Sequence, residues 1–169
     1  TNLFELNLQP AYKIKLALKK IQDKQFLHKK IQQQFLELLK SKYHLSSILK
    51  KMKQLGILGK IIPEFKIIQG QMQFDMFHIY TVDEHTFKVV RNMRQMYIGT
   101  NIKDFDMESE LIRKLPKIEI LYLAGLFHDL GKGKGGNHSE IGSSMVHDFA
   151  LRAGISKADE ELLVWLVKN

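Results

Sequence analysis

Histidine and aspartate side chains near predicted helix ends are the residues of this chain that could hold a metal ion. His128 and Asp129 are adjacent, directly after the apolar stretch 118–127 and before Gly131. Adjacent side chains point about 100° apart on a helix, so both can reach one ion only near a helix end. Imidazole nitrogen suits divalent metals, and a carboxylate can bridge two ions with its two oxygens. The sequence therefore predicts a metal site centred on His128 and Asp129.

Two further histidines occupy predicted helix beginnings. His85 follows a capping sequence that starts at Thr81, and His138 follows the glycine-rich stretch 131–136. Each histidine taken singly is better explained as a structural or surface residue. Helix termini that converge on one point, however, are a common way to build a cation and phosphate site from helices alone. The combined pattern predicts that His85, His128, Asp129 and His138 bind metal.

Two lysines lie in the glycine-rich stretch beside these candidate ligands. Lys132 and Lys134 can neutralise phosphate oxygens, and the backbone amides of the same stretch can donate hydrogen bonds to them. The predicted site therefore combines a metal ion with a phosphate group.

The elements that must position these residues are all helical. Strand-like alternation is absent from the sequence, and apolar residues recur at helical spacing instead. An apolar stripe over residues 12–41 predicts a long N-terminal amphipathic helix. The stretch after Pro116 is apolar nearly all round and is predicted to be the central core helix. Further helix boundaries are predicted at a Ser46-Ser47 cap, Gly56, the Thr81-Val-Asp-Glu84 capping box, Gly99, an Asn137 cap and the Ser156-Lys-Ala-Asp159 cap.

Composition restricts the class of protein. The chain has 169 residues, 44% of them hydrophobic, which is sufficient for a buried core. It contains no cysteine, so a metal must bind to histidine and carboxylate side chains. No apolar run approaches the roughly 20 residues that span a bilayer, and no signal peptide is recognisable, so we expect a cytoplasmic protein without membrane contact.

The positive charge is concentrated in the N-terminal part. The net charge is +8, and residues 1–70 contain 14 lysines against four acidic residues, about +10. A nucleic acid or another polyanion could be attracted to this region. The lysines alternate with an apolar helical stripe and few aromatic residues accompany them, so a solvated helix face is the better interpretation and nucleic acid is an unlikely partner.

The order of these residues resembles the HD superfamily of phosphohydrolases. Longer stretches are similar to one family within it, the HD domain of the bifunctional uridylyltransferase/uridylyl-removing enzymes that act on the nitrogen regulatory protein PII. The resemblance covers about residues 50–169, and its most specific stretch begins at His78. The similar stretches are Gly56-Ile-Leu-Gly-Lys-Ile-Ile-Pro-Glu-Phe65, Gly70-Gln-Met72, His78-Ile-Tyr-Thr-Val-Asp-Glu-His85, Leu121-Tyr-Leu-Ala-Gly-Leu-Phe-His-Asp-Leu-Gly-Lys132, Gly135-Gly-Asn-His-Ser-Glu-Ile-Gly142 and Trp165-Leu-Val-Lys-Asn169.

The resemblance implies a fold and an activity. It implies an HD-domain helical bundle over residues 56–169, truncated at its C-terminal end, after an N-terminal helical linker region over residues 1–55. The implied reaction is metal-dependent hydrolysis of the phosphodiester between a PII tyrosine and UMP. Nucleotidyl transfer and glutamine sensing belong to other domains of that family, for which we find no matching motif, so glutamine would act only through domains absent here.

The resemblance also implies roles for the site residues. His85, His128 and Asp129 would bind Mn²⁺ or Mg²⁺, and His138 would help to bind a second ion bridged by Asp129. Catalysis would involve Asp129 and Lys132, with Lys132 stabilising charge on the phosphate. The family pattern continues with a further Asp and further His ligands beyond Asn169, so we expect an incomplete ligand set in this chain.

Two residues are assigned to the substrate. Lys134 would assist Lys132 at the phosphate. His78 lies seven residues before His85 and either lines the substrate pocket or anchors the turn before Thr81.

Three alternatives remain open at the level of sequence. The chain could be an HD hydrolase of another nucleotide, a regulatory HD module without activity, or an RNA-binding helical domain. Substrate turnover, metal loss with an intact fold, and salt-dependent RNA binding would distinguish them.

Overall fold

A computed structural model gives the backbone of residues 3–72, 80–99, 106–134 and 138–169, and the side chains of 10–72, 80–99, 107–132 and 140–169. Within these residues the chain is all-α, as predicted. None of the described helices combines the length and the apolar character of a transmembrane span. A single residue pair, Met72 and Thr81, forms an isolated β-bridge. The α-helices are α1 Leu3–Lys20, α2 Asp23–Phe26, α3 Lys29–Leu39, α4 Leu45–Leu55, α5 Leu58–Ile61, α6 Phe65–Ile68, α7 Val82–Ile98, α8 Asp106–Arg113, α9 Ile118–Phe127, α10 His138–Ala153 and α11 Lys157–Lys168, with a 3-10 helix at Leu130–Lys134.

The N-terminal stripe forms three helices, so the prediction of one long helix was wrong. The chain breaks between α1 and α2 and again before α3, where His28 Nδ1 accepts a hydrogen bond from the amide of Lys30 at 3.4 Å. Neither break contains glycine or proline, and the reason lies in packing. Helix α3 buries Phe35 and Leu39 in the core, whereas Leu18 is the buried hydrophobic residue of α1 among its described side chains.

Helix α9 lies at the centre of the core, as its composition predicted. Eight of its ten residues are buried. It contacts α3, α7, α10 and α11, which together surround it. His128 and Asp129 follow directly at its C-terminal end, so a helix that is buried over most of its length fixes their backbone.

Helices α7 and α9 approach each other closely at Gly125. A Cβ atom added at Gly125 would lie 3.0 Å from Met93 Sδ and 3.2 Å from Val90 Cγ2, both on α7. These distances are shorter than ordinary van der Waals contact, so a larger residue would require the Met93 and Val90 side chains to shift by a few tenths of an ångström. The glycine thereby lets α7 lie near the C-terminal end of α9.

Several helix boundaries follow local signals in the sequence. Gly56 and Gly99 end α4 and α7 with positive φ angles of +77° and +73°, in the left-handed region that glycine adopts without strain. Ser156 caps α11, because its Oγ accepts a hydrogen bond from the amide of Asp159 at 3.3 Å. The predicted Asn137 cap lies outside the described residues.

Helix α4 begins at Leu45, but the predicted Ser46-Ser47 cap does not form. The N-cap residue is His44, with a φ of +59°, and it makes no side-chain capping bond. Ser47 does not cap the helix, because its Oγ donates a hydrogen bond to the His44 carbonyl at 2.8 Å. The first turn of α4 is thus left without a side-chain cap.

Candidate metal centre

Three of the predicted ligands meet at one point between α7 and the end of α9. Asp129 Oδ2 lies 3.2 Å from His128 Nε2 and 3.7 Å from His85 Nε2. One ligand atom from each of the three residues lies within 4.8 Å of the others. The two imidazole rings are 5.5 Å apart, centroid to centroid. This spacing allows all three side chains to contact a single ion.

A buried ion pair holds the start of α7, and with it His85. Asp83 is 1% exposed, and its Oδ2 lies 2.7 Å from Lys53 Nζ on α4. Its Oδ1 accepts a hydrogen bond from the amide of Glu84 at 3.1 Å. Burial raises the pKa of Asp83, but the hydrogen bonds from Lys53 and Thr81 lower it by more, so the net shift of the pKa is downward. Asp83 is therefore an ionised carboxylate in the first turn of α7, where negative charge is favourable.

The predicted capping box at Thr81 did not form, although α7 does begin directly after Thr81. Thr81 makes no side-chain capping bond. Glu84 does not reach back to the helix start, because its Oε1 pairs with Lys53 Nζ at 2.6 Å. Asp83 stabilises the start of α7 in place of the capping box, because it accepts a first-turn hydrogen bond and forms an ion pair with another helix.

A backbone hydrogen bond fixes the tautomer of His128. Its Nδ1 lies 2.9 Å from the carbonyl oxygen of Gly125. A carbonyl only accepts, so Nδ1 carries the proton and donates it. In the neutral ring Nε2 then bears a lone pair, and that lone pair is on the atom 3.2 Å from Asp129 Oδ2. Metal-binding histidines are commonly oriented by a hydrogen bond of this kind.

Asp129 is ionised and lies in a positive environment. Burial raises its pKa, but the adjacent His128 imidazole and the Lys132 ammonium outweigh that effect and lower it to about 2. Lys132 Nζ lies 3.0 Å from Oδ1. Oδ2 is buried and lies 3.2 Å from His128 Nε2.

The arrangement fits a divalent cation. Positive charge between His128 Nε2 and Asp129 Oδ2, 3.2 Å apart, stabilises both groups, and either a proton on Nε2 or a divalent cation in its place can supply it. Two imidazole nitrogens and a carboxylate oxygen form a donor set that suits Mn²⁺, Fe²⁺ or Zn²⁺, and Mg²⁺ through the carboxylate. A cleft of about 550 Å³ opens onto these atoms, and its other walls include Met93, Leu121 and Lys168.

The structure thus brings together His85, His128, Asp129 and Lys132, although their roles stay predictions. Helix α10 begins at His138, and Lys134 ends the 3-10 helix, but the side chains of both lie outside the described residues. His78 lies outside them entirely.

Two contributors to the site were missed by sequence reasoning. The Asp83–Lys53 pair joins residues 30 positions apart, and no local pattern signals it. Gly125 carried a signal, because a glycine inside an otherwise apolar helix often marks a close approach between helices. The Gly125 carbonyl orients the His128 ring, and the absence of a side chain at Gly125 allows α7 to pack closely against α9.

Comparison with known proteins agrees with this geometry. The family model described as HD domain matches residues 82–169, a segment that contains His85, His128 and Asp129. Proteins named bifunctional uridylyltransferase/uridylyl-removing enzyme are similar over 135 residues, which is 80% of this chain. They include those of Azotobacter vinelandii and Pseudomonas fluorescens, both 47% identical, and of Pseudomonas entomophila, 45% identical. The chain covers 15% of the length of these relatives. A match over more than half of the chain, which includes the three clustered side chains, shows that it belongs to the HD domain family.

Proposed function

We propose that this chain is a metal-dependent phosphodiesterase that removes UMP from a uridylylated protein. The observation that carries the proposal is the buried Asp129 Oδ2, which faces the Nε2 atoms of two histidines at 3.2 and 3.7 Å. The names of the relatives add the type of reaction, since uridylyl removal is hydrolysis of a bond to UMP.

The substrate we propose is the uridylylated form of PII, with UMP attached to a tyrosine. The metal we propose is Mn²⁺ or Mg²⁺, held by His85, His128 and Asp129. His138 would help to hold a second ion, and Lys134 and His78 would contact the substrate. We place the HD domain at residues 56–169, preceded by a helical linker, in a cytoplasmic protein.

The residues of the chain contribute charge and orientation. Asp129 supplies a permanent negative charge, because its pKa of about 2 keeps it ionised at neutral pH. The Gly125 carbonyl holds the His128 ring with Nε2 directed at the site. A divalent ion bound there would supply Lewis acidity to the phosphoryl group and to the attacking water.

Lys132 is placed to stabilise the phosphate. Its Nζ lies 3.0 Å from Asp129 Oδ1 and borders the cleft, so it can bind a phosphoryl oxygen beside that carboxylate. The leaving group is a tyrosine oxygen with a solution pKa of about 10. It departs more readily than an alkoxide, so the mechanism needs no strong general acid.

The test is release of UMP from uridylylated PII with Mn²⁺ present. We expect release by a protein that also carries the further ligands expected beyond Asn169, and a loss of at least about 100-fold when Asp129→Asn is introduced into it, because removing one charged transition-state contact costs about that much. His147→Gln is the matched control, since His147 pairs with Glu160 on the surface at 2.5 Å and does not line the cleft.

Two results would contradict the proposal. One is the absence of release from a folded protein that binds Mn²⁺. The other is equal activity in Asp129→Asn and the parent. Cyclic dinucleotides and free nucleotides, assayed in parallel, would reveal an HD hydrolase with another substrate.

A further inference from the structure

A second cleft lies between α4 and α7, away from the candidate metal centre. Its volume is about 490 Å³. His85 and Met93 border the metal cleft, whereas Lys88 and Arg91 of the same helix border the second one. Helical periodicity places these two pairs of residues on different faces of α7. The second cleft is therefore a separate site, and nothing in the proposed reaction uses it.

The second cleft is positively charged. Lys50, Lys88 and Arg91 line it, and all three side chains are exposed. Glu84 also lines it and shares Lys53 with the buried Asp83, so three lining cations and one carboxylate leave a net charge of +2. Within the part of the chain that the structure describes, no carboxylate lies within ion-pair distance of the three lining cations. Three like charges around one concavity repel each other and create a local positive potential.

Uncapped backbone amides and an aromatic ring complete the walls. Helix α4 begins at this cleft, with Ser46 and Ser47 in its first turn and no side-chain cap. Its first amides are thus available to an anion, in addition to the lining cations. Tyr80 is 48% exposed, and Lys88 Nζ lies 4.7 Å from the centre of its ring.

We propose that this second cleft binds a small phosphate-bearing ligand of mononucleotide size. The volume lies within the range of small-molecule sites. Arg91 can bind two phosphate oxygens at once, and Lys50 and Lys88 can each add a charged hydrogen bond. The cations converge on a concave site and do not form an extended stripe, which favours a small ligand over a polynucleotide.

The test is calorimetric titration of the protein with pyrophosphate, UMP and ATP, without divalent ions. We expect saturable binding that weakens roughly tenfold for each cation removed, as in Lys88→Gln and Arg91→Gln. Lys51→Gln is the matched control, because Lys51 is exposed and adjacent to Lys50 but does not line the cleft. It should bind within twofold of the parent. Equal affinity for pyrophosphate and ATP would identify phosphate as the recognised group, and tighter binding of UMP or ATP would identify a nucleotide.

A second variant separates this cleft from the metal centre. His128→Ala should retain the binding, since His128 borders the other cleft. The proposal is overturned if no ligand binds at millimolar concentration, if Lys51→Gln loses as much as Arg91→Gln, or if His128→Ala abolishes binding. It is also overturned if an RNA oligonucleotide displaces the nucleotides and its affinity falls equally in Lys51→Gln. None of these outcomes depends on whether the protein releases UMP.

Discussion

Replacing Lys53 with methionine should destabilise the protein through the carboxylate that it leaves behind. The Lys53 ammonium lies 2.7 Å from Asp83 Oδ2, and Asp83 is 1% exposed. Methionine keeps most of the length of the side chain and loses the ammonium, which lies 5.5 Å from the centre of the Phe87 ring. The variant therefore removes the charge and little of the packing.

The magnitude follows from the burial of the pair. Removing one partner of a buried ion pair costs about 3–5 kcal/mol. Lys53 is 15% exposed, so solvent screens part of the charge, and we take about 3 kcal/mol. For a chain of this length each kcal/mol lowers the melting temperature by about 2–4 °C, so we expect a decrease of about 6–12 °C.

The assay is urea unfolding at neutral pH, with a matched exposed pair as control. Lys114 and Glu110 are 2.6 Å apart, close to the 2.7 Å of the buried pair, but both are more than two-thirds exposed. Lys114→Met should therefore cost less than about 0.5 kcal/mol. Asp83→Asn combined with Lys53→Met should recover most of the loss, because the buried charge is then absent.

The pH dependence has a definite sign. The pKa of Asp83 is below its usual value in the folded parent, so the parent loses this contribution as pH falls through that pKa. In Lys53→Met the uncompensated carboxylate has a raised pKa, so acid favours the folded variant. The difference between parent and variant should narrow towards pH 4. A loss equal to that of Lys114→Met, or no recovery in the double variant, would refute this reasoning.

Three further predictions concern the site and one helix end. Gly125→Ala should cost about 1 kcal/mol in urea unfolding and weaken Mn²⁺ binding, because overpacking exceeds the gain in helix propensity. Adding Met93→Val should restore part of the stability and part of the Mn²⁺ affinity. A Gly125→Ala variant more stable than the parent would contradict this prediction. Without divalent ions, Asp129→Asn should be about 2 kcal/mol less stable than the parent at pH 5. This difference in unfolding free energy should shrink towards pH 2.5, because the parent carboxylate has a pKa of about 2. A difference that does not change with pH would argue against the prediction. Ser156→Ala should cost about 1 kcal/mol by thermal or urea unfolding. Ser156→Thr keeps the hydroxyl that bonds Asp159 and should stay near the parent, and equal losses in the two variants would exclude a capping role.

Local signals in the sequence predicted the frame of the site well. The apolar composition of residues 118–127 identified the central helix, because such a helix is stable only when surrounded by others. Gly99 and Ser156 marked helix ends through preferences that act within a few residues. Once those elements were known, the position of His128 and Asp129 at the end of α9 followed directly.

Features that depend on distant partners were not predictable in this way. The stripe over residues 12–41 has continuous helical spacing, yet the chain breaks twice where tertiary packing redirects it. Thr81 and Glu84 have the sequence of a capping box, but Glu84 forms an ion pair with Lys53, some 30 residues earlier, and does not bond the start of the helix. A lysine on another helix changes the local preference, and a single sequence gives no sign of that pairing.

The two sides of the candidate metal centre should differ in their dynamics. His128 and Asp129 follow α9, which has eight of its ten residues buried and whose amides should exchange with solvent only on global unfolding. His85 instead lies in the first turn of α7, which is held through the Asp83–Lys53 pair. Opening of that single turn would withdraw one ligand while the rest of the protein stayed folded. The residence time of a bound ion would then be governed by fraying of α7, on a scale much shorter than the lifetime of the fold.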